Sequence, residues 1–284
     1  MGVSVLILLL RKSSVMLGIV IVVLAAAILT VNIFAGGKPS TSLAAGESSN
    51  DESIEVNRPV GDKDEAATEA PSQAPQGSTG NTVGAGKVVV IDAGHGGEDP
   101  GAVSNFSGAK EKDITLIIAE KAKALLEESG YKVIMTRSED VLNYDDENAS
   151  MTKKRRQDLL KRKKIMDESG ADIVVSIHLN AFTDEKYSGA QVFYTKESLS
   201  SKKLAMSLQQ AFRDTVDPNN EREALKKNED IIITKNCKVT TVIAECGFLS
   251  NQAEEAQLVD DAYQSKLALA IKKGIDGYFA VSAE

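Results

Sequence analysis

From Lys87 onward two hydrophobic patterns take turns along the chain. Unbroken β-branched runs, Val88-Val89-Val90-Ile91 and Ile173-Val174-Val175-Ser176-Ile177, have the look of strands buried on both faces of a parallel sheet. Between them, apolar residues recur at helical spacing. Asp113 to Ser129 places Ile114, Ile117, Ile118, Ala122, Leu125 and Leu126 on one side, and Gly130 supplies a stop. Tyr131 to Met135 reads as the next strand. The pattern then repeats, with a helix from about Thr152 to Ser169, Gly170, and a strand that ends at His178; both helices finish Glu-Ser-Gly. Gly189 to Thr195 predicts a strand and Ser200 to Thr215 a helix. Pro218 to Asp230 is polar and predicts an exposed loop, with a short helix as the alternative. Ile231 to Thr234 and Val239 to Glu245 predict two strands joined by Lys235-Asn236-Cys237-Lys238, too short a connection for a crossover helix and so antiparallel. The closing helix, Tyr263 to Phe279, offers Leu267, Ala270, Ile271, Ile275 and Phe279 to the sheet. The expected fold is α/β, a single domain with a mostly parallel mixed sheet of about six strands and helices on both faces.

Upstream the pattern changes twice. Val15 to Ala35 is almost wholly apolar, and about 20 such residues cross a bilayer as a helix. Arg11 and Lys12 precede it and only Lys38 closely follows, which puts the amino terminus inside and the rest of the chain outside. A cleaved signal peptide is the rival reading. Its apolar core is ordinarily shorter, and Ile33 is bulkier than the small residue its cleavage site wants. Residues 36–86 are rich in Gly, Ser, Pro, Ala, Glu and Asp, with few large apolar side chains to offset the ordering entropy, and are expected to form a disordered acidic linker. The domains expected are therefore residues 1–35, a membrane anchor or signal segment; 36–86, the linker; and 87–284, the catalytic domain.

The net charge of −8 argues against nucleic acid as a partner. The 2 cysteines, Cys237 and Cys246, cannot make a disulfide framework, although one bridge between them stays open outside the cell. Lys153-Lys-Arg-Arg156 and Lys161-Arg-Lys-Lys164 form a basic run on a helix. It is either a solvated face or a contact for an anionic wall polymer or partner. Arg162 falls one turn after Asp158 and is the member with a structural part to play.

The chain has 2 histidines, and both end strand-like runs: His95 in Asp92-Ala-Gly-His-Gly-Gly97, and His178. Ligands of parallel sheets lie beyond the carboxyl ends of the strands. Glu111, just before the first helix, and Glu245, at the end of its strand, can join them there. Two histidines and a carboxylate are the His₂Glu set of catalytic zinc sites, which leave a position for water. Zinc brings the pKa of such water toward 7 and polarises a carbonyl, and a further glutamate in reach takes the proton. Against this stands the plain alternative of hydrogen-bonded structural histidines. No Gly-rich phosphate fingerprint and no G-x-S-x-G elbow is present. Cys246, next to Glu245 on a strand, points to the opposite face and reads as a small core residue.

Val90-Ile-Asp-Ala-Gly-His-Gly-Gly97, Glu111-Lys112, Ser176-Ile-His-Leu-Asn-Ala181 and Glu245-Cys-Gly-Phe-Leu-Ser-Asn251 resemble, in order and spacing, the zinc-dependent N-acetylmuramoyl-L-alanine amidases of the Amidase_3 family. Within it the chain is most similar to the germination-specific, cortex-modifying amidases of endospore formers, the CwlD type. The resemblance spans Lys87 to Phe279. It implies that His95, Glu111 and His178 are zinc ligands and that Glu245 is the catalytic glutamate. It also implies hydrolysis of the amide between N-acetylmuramic acid and L-alanine of the peptidoglycan stem peptide, leading in the spore cortex to muramic δ-lactam. Ala244-Glu-Cys-Gly departs from the commoner Val-Glu-x-Gly but keeps the glutamate. The expected setting is extracytoplasmic, membrane-anchored or secreted, with the forespore intermembrane space as one such place. The competing functions are a non-catalytic wall-binding or scaffold protein, and a zinc peptidase acting within the stem peptide.

Overall fold

The computed structural model describes residues 83–195, 198–227 and 231–281. The expected anchor at 1–35 and nearly all of the expected linker lie outside the described residues. Among the described residues no helix is long and apolar enough to cross a membrane.

Six strands form one sheet in the order β2-β1-β3-β6-β4-β5. They are β1 (Val88–Ala93), β2 (Lys132–Met135), β3 (Ile173–Asn180), β4 (Gln191–Tyr194), β5 (Leu225–Lys226) and β6 (Thr240–Phe248). The helices are α1 (Glu111–Glu128), α2 (Met151–Glu168), α3 (Leu199–Thr215), α4 (Gln252–Leu258) and α5 (Asp261–Val281). β2, β1, β3 and β6 are parallel, β4 runs antiparallel to β6, and β5 is parallel to β4. The mostly parallel mixed sheet with helices on both faces agrees with the pattern read from the chain.

Alternation along β1 sets the layers. Val89, Ile91 and Ala93 enter the main core with α1, α3 and α5, whereas Val90 turns to the α2 side. Where α5 crosses α3, Gly274 has no room for a side chain: a Cβ there would lie 2.6 Å from the Leu208 Cα.

Two expectations need correction. Ile231 to Thr234 is not a strand and does not pair with β6; it is a turn in which the Thr234 and Lys235 amides donate to the Ile231 carbonyl at 3.0 and 2.8 Å. Both edges of β6 are already taken, by β3 and by β4, so no edge is left for it. Its isoleucines serve packing, and Ile233, 2% exposed, joins Val90, Val174 and Met166 beneath α2. The antiparallel neighbour of β6 is instead β4, and the loop expected at 218–230 contributes the short β5. The helix α4 was not foreseen, although it carried a signal. Asn251 caps it by accepting from the Glu254 amide at 3.0 Å, the Asn-x-x-Glu spacing of a helix start.

Candidate active site

Three elements deliver the residues singled out in the sequence to one place. His95 lies just beyond the end of β1, Glu111 opens α1, and His178 lies near the end of β3. Their ligand-type atoms all fall within 4.8 Å of one another. One Glu111 oxygen is 3.2 Å from His95 Nε2, and the other is 2.9 Å from His178 Nδ1. Backbone amides fix that carboxylate: Ala102 donates to Oε2 at 2.8 Å and Leu179 to Oε1 at 2.9 Å. Burial opposes charge on Glu111, but its bonds to His178 and His95 outweigh this and hold the carboxyl far below its ordinary range.

The turn that carries His95 is tightly specified. His95 itself has φ 61°, in the left-handed region that non-glycine residues seldom enter. Gly94 cannot be anything larger, because a Cβ there would sit 2.5 Å from the His178 ring; at Gly101 it would sit 2.5 Å from Glu111 Oε2. The two imidazoles meet edge to face with centroids 5.0 Å apart. Asp99 Oδ2 lies 2.8 Å from His95 Nδ1, leaving Nε2 aimed at Glu111, and Arg155 pairs with the other Asp99 oxygen at 2.8 Å. Burial works against a charged His95, yet Asp99 and Glu111 raise it to about 9.

Beneath the turn its carbonyls are gripped by cations. Arg137 donates to Ala93 and Gly94, both at 2.9 Å, and Lys112 donates to Gly97 at 2.9 Å. Arg162 donates to Ala93 and His95, and it pairs with Asp158 at 2.6 Å and Asp92 at 3.0 Å. Asp92, fully enclosed, also accepts from Thr136 and Ser176. Burial raises its pKa, but Arg162 and those hydroxyls win and hold the carboxyl below the usual range. The Asp158–Arg162 pair expected from one-turn spacing is present. The basic run is therefore neither wholly solvated nor wholly free for a polymer. Arg162 is 2% exposed and Lys154, bonded to Glu98 at 2.9 Å, is also buried.

Glu245 is the direct cross-strand neighbour of His178 in the β3–β6 register. Its Oε2 is buried with no hydrogen-bond partner. Burial first, and the Glu111 charge after it, raise its pKa, although His178 draws it back in part. β6 runs three residues past it, longer than expected, after a register shift between His178 and Asn180. Cys246 faces the other way and is fully buried in the main core, and both cysteines are free, so the open bridge is not made. A groove of about 290 Å³ leads to the histidines and Glu245, with Arg155 and the apolar Leu159, Ile231, Ile233 and Ile243 along it.

The sequence reading missed Asp99 and Arg137, and it placed Arg155 only as one member of the basic run. Asp99 stands four residues after His95, a spacing that was visible. Arg137 and the Asp92–Arg162 contact join distant segments and leave no local trace.

An α/β sheet that gathers two histidines, one fixed carboxylate and a second, unpartnered one at a groove has the make-up of a hydrolase centre. Comparison with known proteins agrees. Residues 89–277 match the Amidase_3 family model, N-acetylmuramoyl-L-alanine amidase. The germination-specific N-acetylmuramoyl-L-alanine amidase of Bacillus subtilis is 38% identical over 196 residues, 68% of this chain and 80% of that protein. The CwlD amidase of Clostridioides difficile, solved in complex with the GerS lipoprotein, is 43% identical with a TM-score of 0.67, covering 69% of this chain and 99% of that one. An N-acetylmuramoyl-L-alanine amidase of Clostridium difficile 630 superposes with a TM-score of 0.59 at 30% identity, over 69% of this chain and 98% of that one. The chain belongs to the N-acetylmuramoyl-L-alanine amidase family.

Proposed function

We propose that the chain hydrolyses the amide between N-acetylmuramic acid and L-alanine with zinc at His95, Glu111 and His178, and that it does so in spore cortex peptidoglycan, outside the cytoplasm. One observation carries this reading: Glu245, in register with His178, keeps a buried carboxylate oxygen without a partner beside a cluster whose donors suit zinc. Bound there, zinc supplies Lewis-acid polarisation of the scissile carbonyl and acidifies water. The chain's own residues do the rest. Asp99 fixes the tautomer of His95 so that Nε2 faces inward. The amides of Ala102 and Leu179 hold Glu111 ionised and still. Glu245, its pKa raised by burial, accepts a proton at Oε2 and returns it to the departing alanine nitrogen. Arg155, at the groove and half exposed, is placed to meet the carboxylates of the stem peptide.

The germination-specific name of the Bacillus subtilis relative supports the cortex role, with δ-lactam formation as the downstream outcome. The complex of the Clostridioides difficile relative supports a lipoprotein partner for this chain as well. The apolar stretch from Val15 to Ala35 supports a membrane anchor, with residues 36–86 as the linker and 87–284 as the catalytic domain. Mass spectrometry of peptidoglycan after incubation with zinc-loaded protein tests the reading. Stem peptides with a free L-alanine amine are expected. Cross-bridge products would make it a peptidase, and unchanged peptidoglycan a binding protein.

A further inference from the structure

A second hollow, of about 430 Å³, lies among the loops that follow β3 and β6 and the loop before α1. It adjoins Glu111. The Ala102 and Leu179 amides that fix the Glu111 carboxylate lie one and two residues before Val103 and Ala181, which line the hollow. Beside these stand Asn105, Phe182, Thr183 and Ser250, and none of the residues lining it carries a charge.

Phe182 is 57% exposed, a ring left open to water close to a catalytic centre. It is nevertheless braced. Tyr187 packs edge-on against it with centroids 5.0 Å apart, Tyr187 stacks on Phe248 at 6.3 Å, and the Arg222 guanidinium lies 4.6 Å from the Phe248 centroid. The Phe182 amide donates to Ser250 Oγ at 3.0 Å, tying the ring's backbone to the β6 loop. A supported, outward aromatic among neutral amide and hydroxyl groups suits a ligand with one apolar face and a polar rim. A pyranose is such a ligand, with axial C–H bonds on a face and hydroxyl and acetamido groups around it. A peptide rich in carboxylates is not, since the hollow has no cation to receive it. The charged groove with Arg155 serves that side.

We propose that this hollow is a saccharide subsite, in which Phe182 stacks on a sugar ring of the glycan strand next to the scissile amide. It rests on the amidase reading, because only there does one side of the cleaved bond carry a glycan. Calorimetric titration of the full chain with β-1,4-linked N-acetylglucosamine oligomers, uncharged pyranose chains, tests it directly. Wild-type protein is expected to bind, Phe182→Ala to lose about tenfold in affinity, and Phe182→Tyr to retain it. On polymeric substrate Phe182→Ala should raise KM with kcat and zinc content unchanged. No glycan binding by the wild type, which would leave the ring to a protein partner, overturns the proposal, as does equal binding by Phe182→Ala. Hydrolysis of a muramoyl-peptide by the same preparation separates the two readings. Its loss would remove the amidase function while the titration still decides whether sugars bind.

Discussion

The two faces of the sheet are sealed by opposite means. On one, α1, α3 and α5 close over an apolar core that includes Ile91, Ile177, Leu208, Phe212 and Ile271, all fully buried. On the other, a smaller apolar cluster of Val90, Met166, Val174 and Ile233 lies beneath α2, followed by a buried ionic lattice of Asp92, Asp158 and Arg162. Oil alone is enough to hold a sheet. A buried ion pair is not the more stabilising choice, since hydrophobic replacements of similar volume often do as well or better. The second face therefore earns an explanation from position: its guanidinium ends on the carbonyls of Ala93 and His95, and so on the left-handed turn that carries the His95 ring. One face makes the molecule stable, and the other makes a strained turn hold still.

The largest effect expected lies at the groove end of the ionic face. Glu245→Gln keeps shape and reach but cannot take the proton, so turnover should fall by roughly 10²-fold or more with zinc near one per chain. Loss of metal in parallel, seen by elemental analysis, would make Glu245 a ligand instead. His178→Ala should lose both metal and activity, because two remaining ligands bind zinc weakly; full occupancy after dialysis would strike His178 from the set.

A matched pair then sharpens the contrast between faces. Arg162→Gln leaves Asp92 and Asp158 buried without their cation and should cost about 3–5 kcal/mol, while Leu208→Ala opens the apolar core for about 2–5 kcal/mol. Chemical denaturation checks both. Only Arg162→Gln should also weaken zinc affinity in the folded protein, measured by competition with a chelator. Equal zinc affinities would reduce the ionic face to another way of filling space. The smallest effect belongs to Cys246→Ala, one residue from Glu245 but on the apolar side. About 1 kcal/mol of stability should go, with turnover unchanged; a large drop in turnover would mean that strand parity does not separate the faces.

The residues show why some of this was legible and some not. β1 and β3 announced themselves because burial on both faces demands continuous β-branched runs, and the candidate metal-binding residues because the only 2 histidines end those runs. Glu245 was legible as a strand-end carboxylate; its pairing with His178 is a matter of register, which no single strand encodes. Ile231 to Thr234 misled because an apolar run states a need for burial, not a hydrogen-bond partner, and β6 had no edge to offer. Arg162 was half legible: its tie to Asp158 is one helical turn long, while its tie to Asp92 spans 70 residues.

That His95, Glu111 and His178 come from three separate elements bears on how the chain reaches its native state. Glu111 and His178 stand 67 residues apart, and the donors converge only once β1 and β3 lie side by side. No hairpin or local loop can assemble the set early, so zinc held there would not serve as a nucleus for folding. It would arrive as a clasp on a finished object. Its contribution should appear in the unfolding limb of a chevron plot, with escape from the native state slowed by zinc and refolding from denaturant left at its metal-free rate.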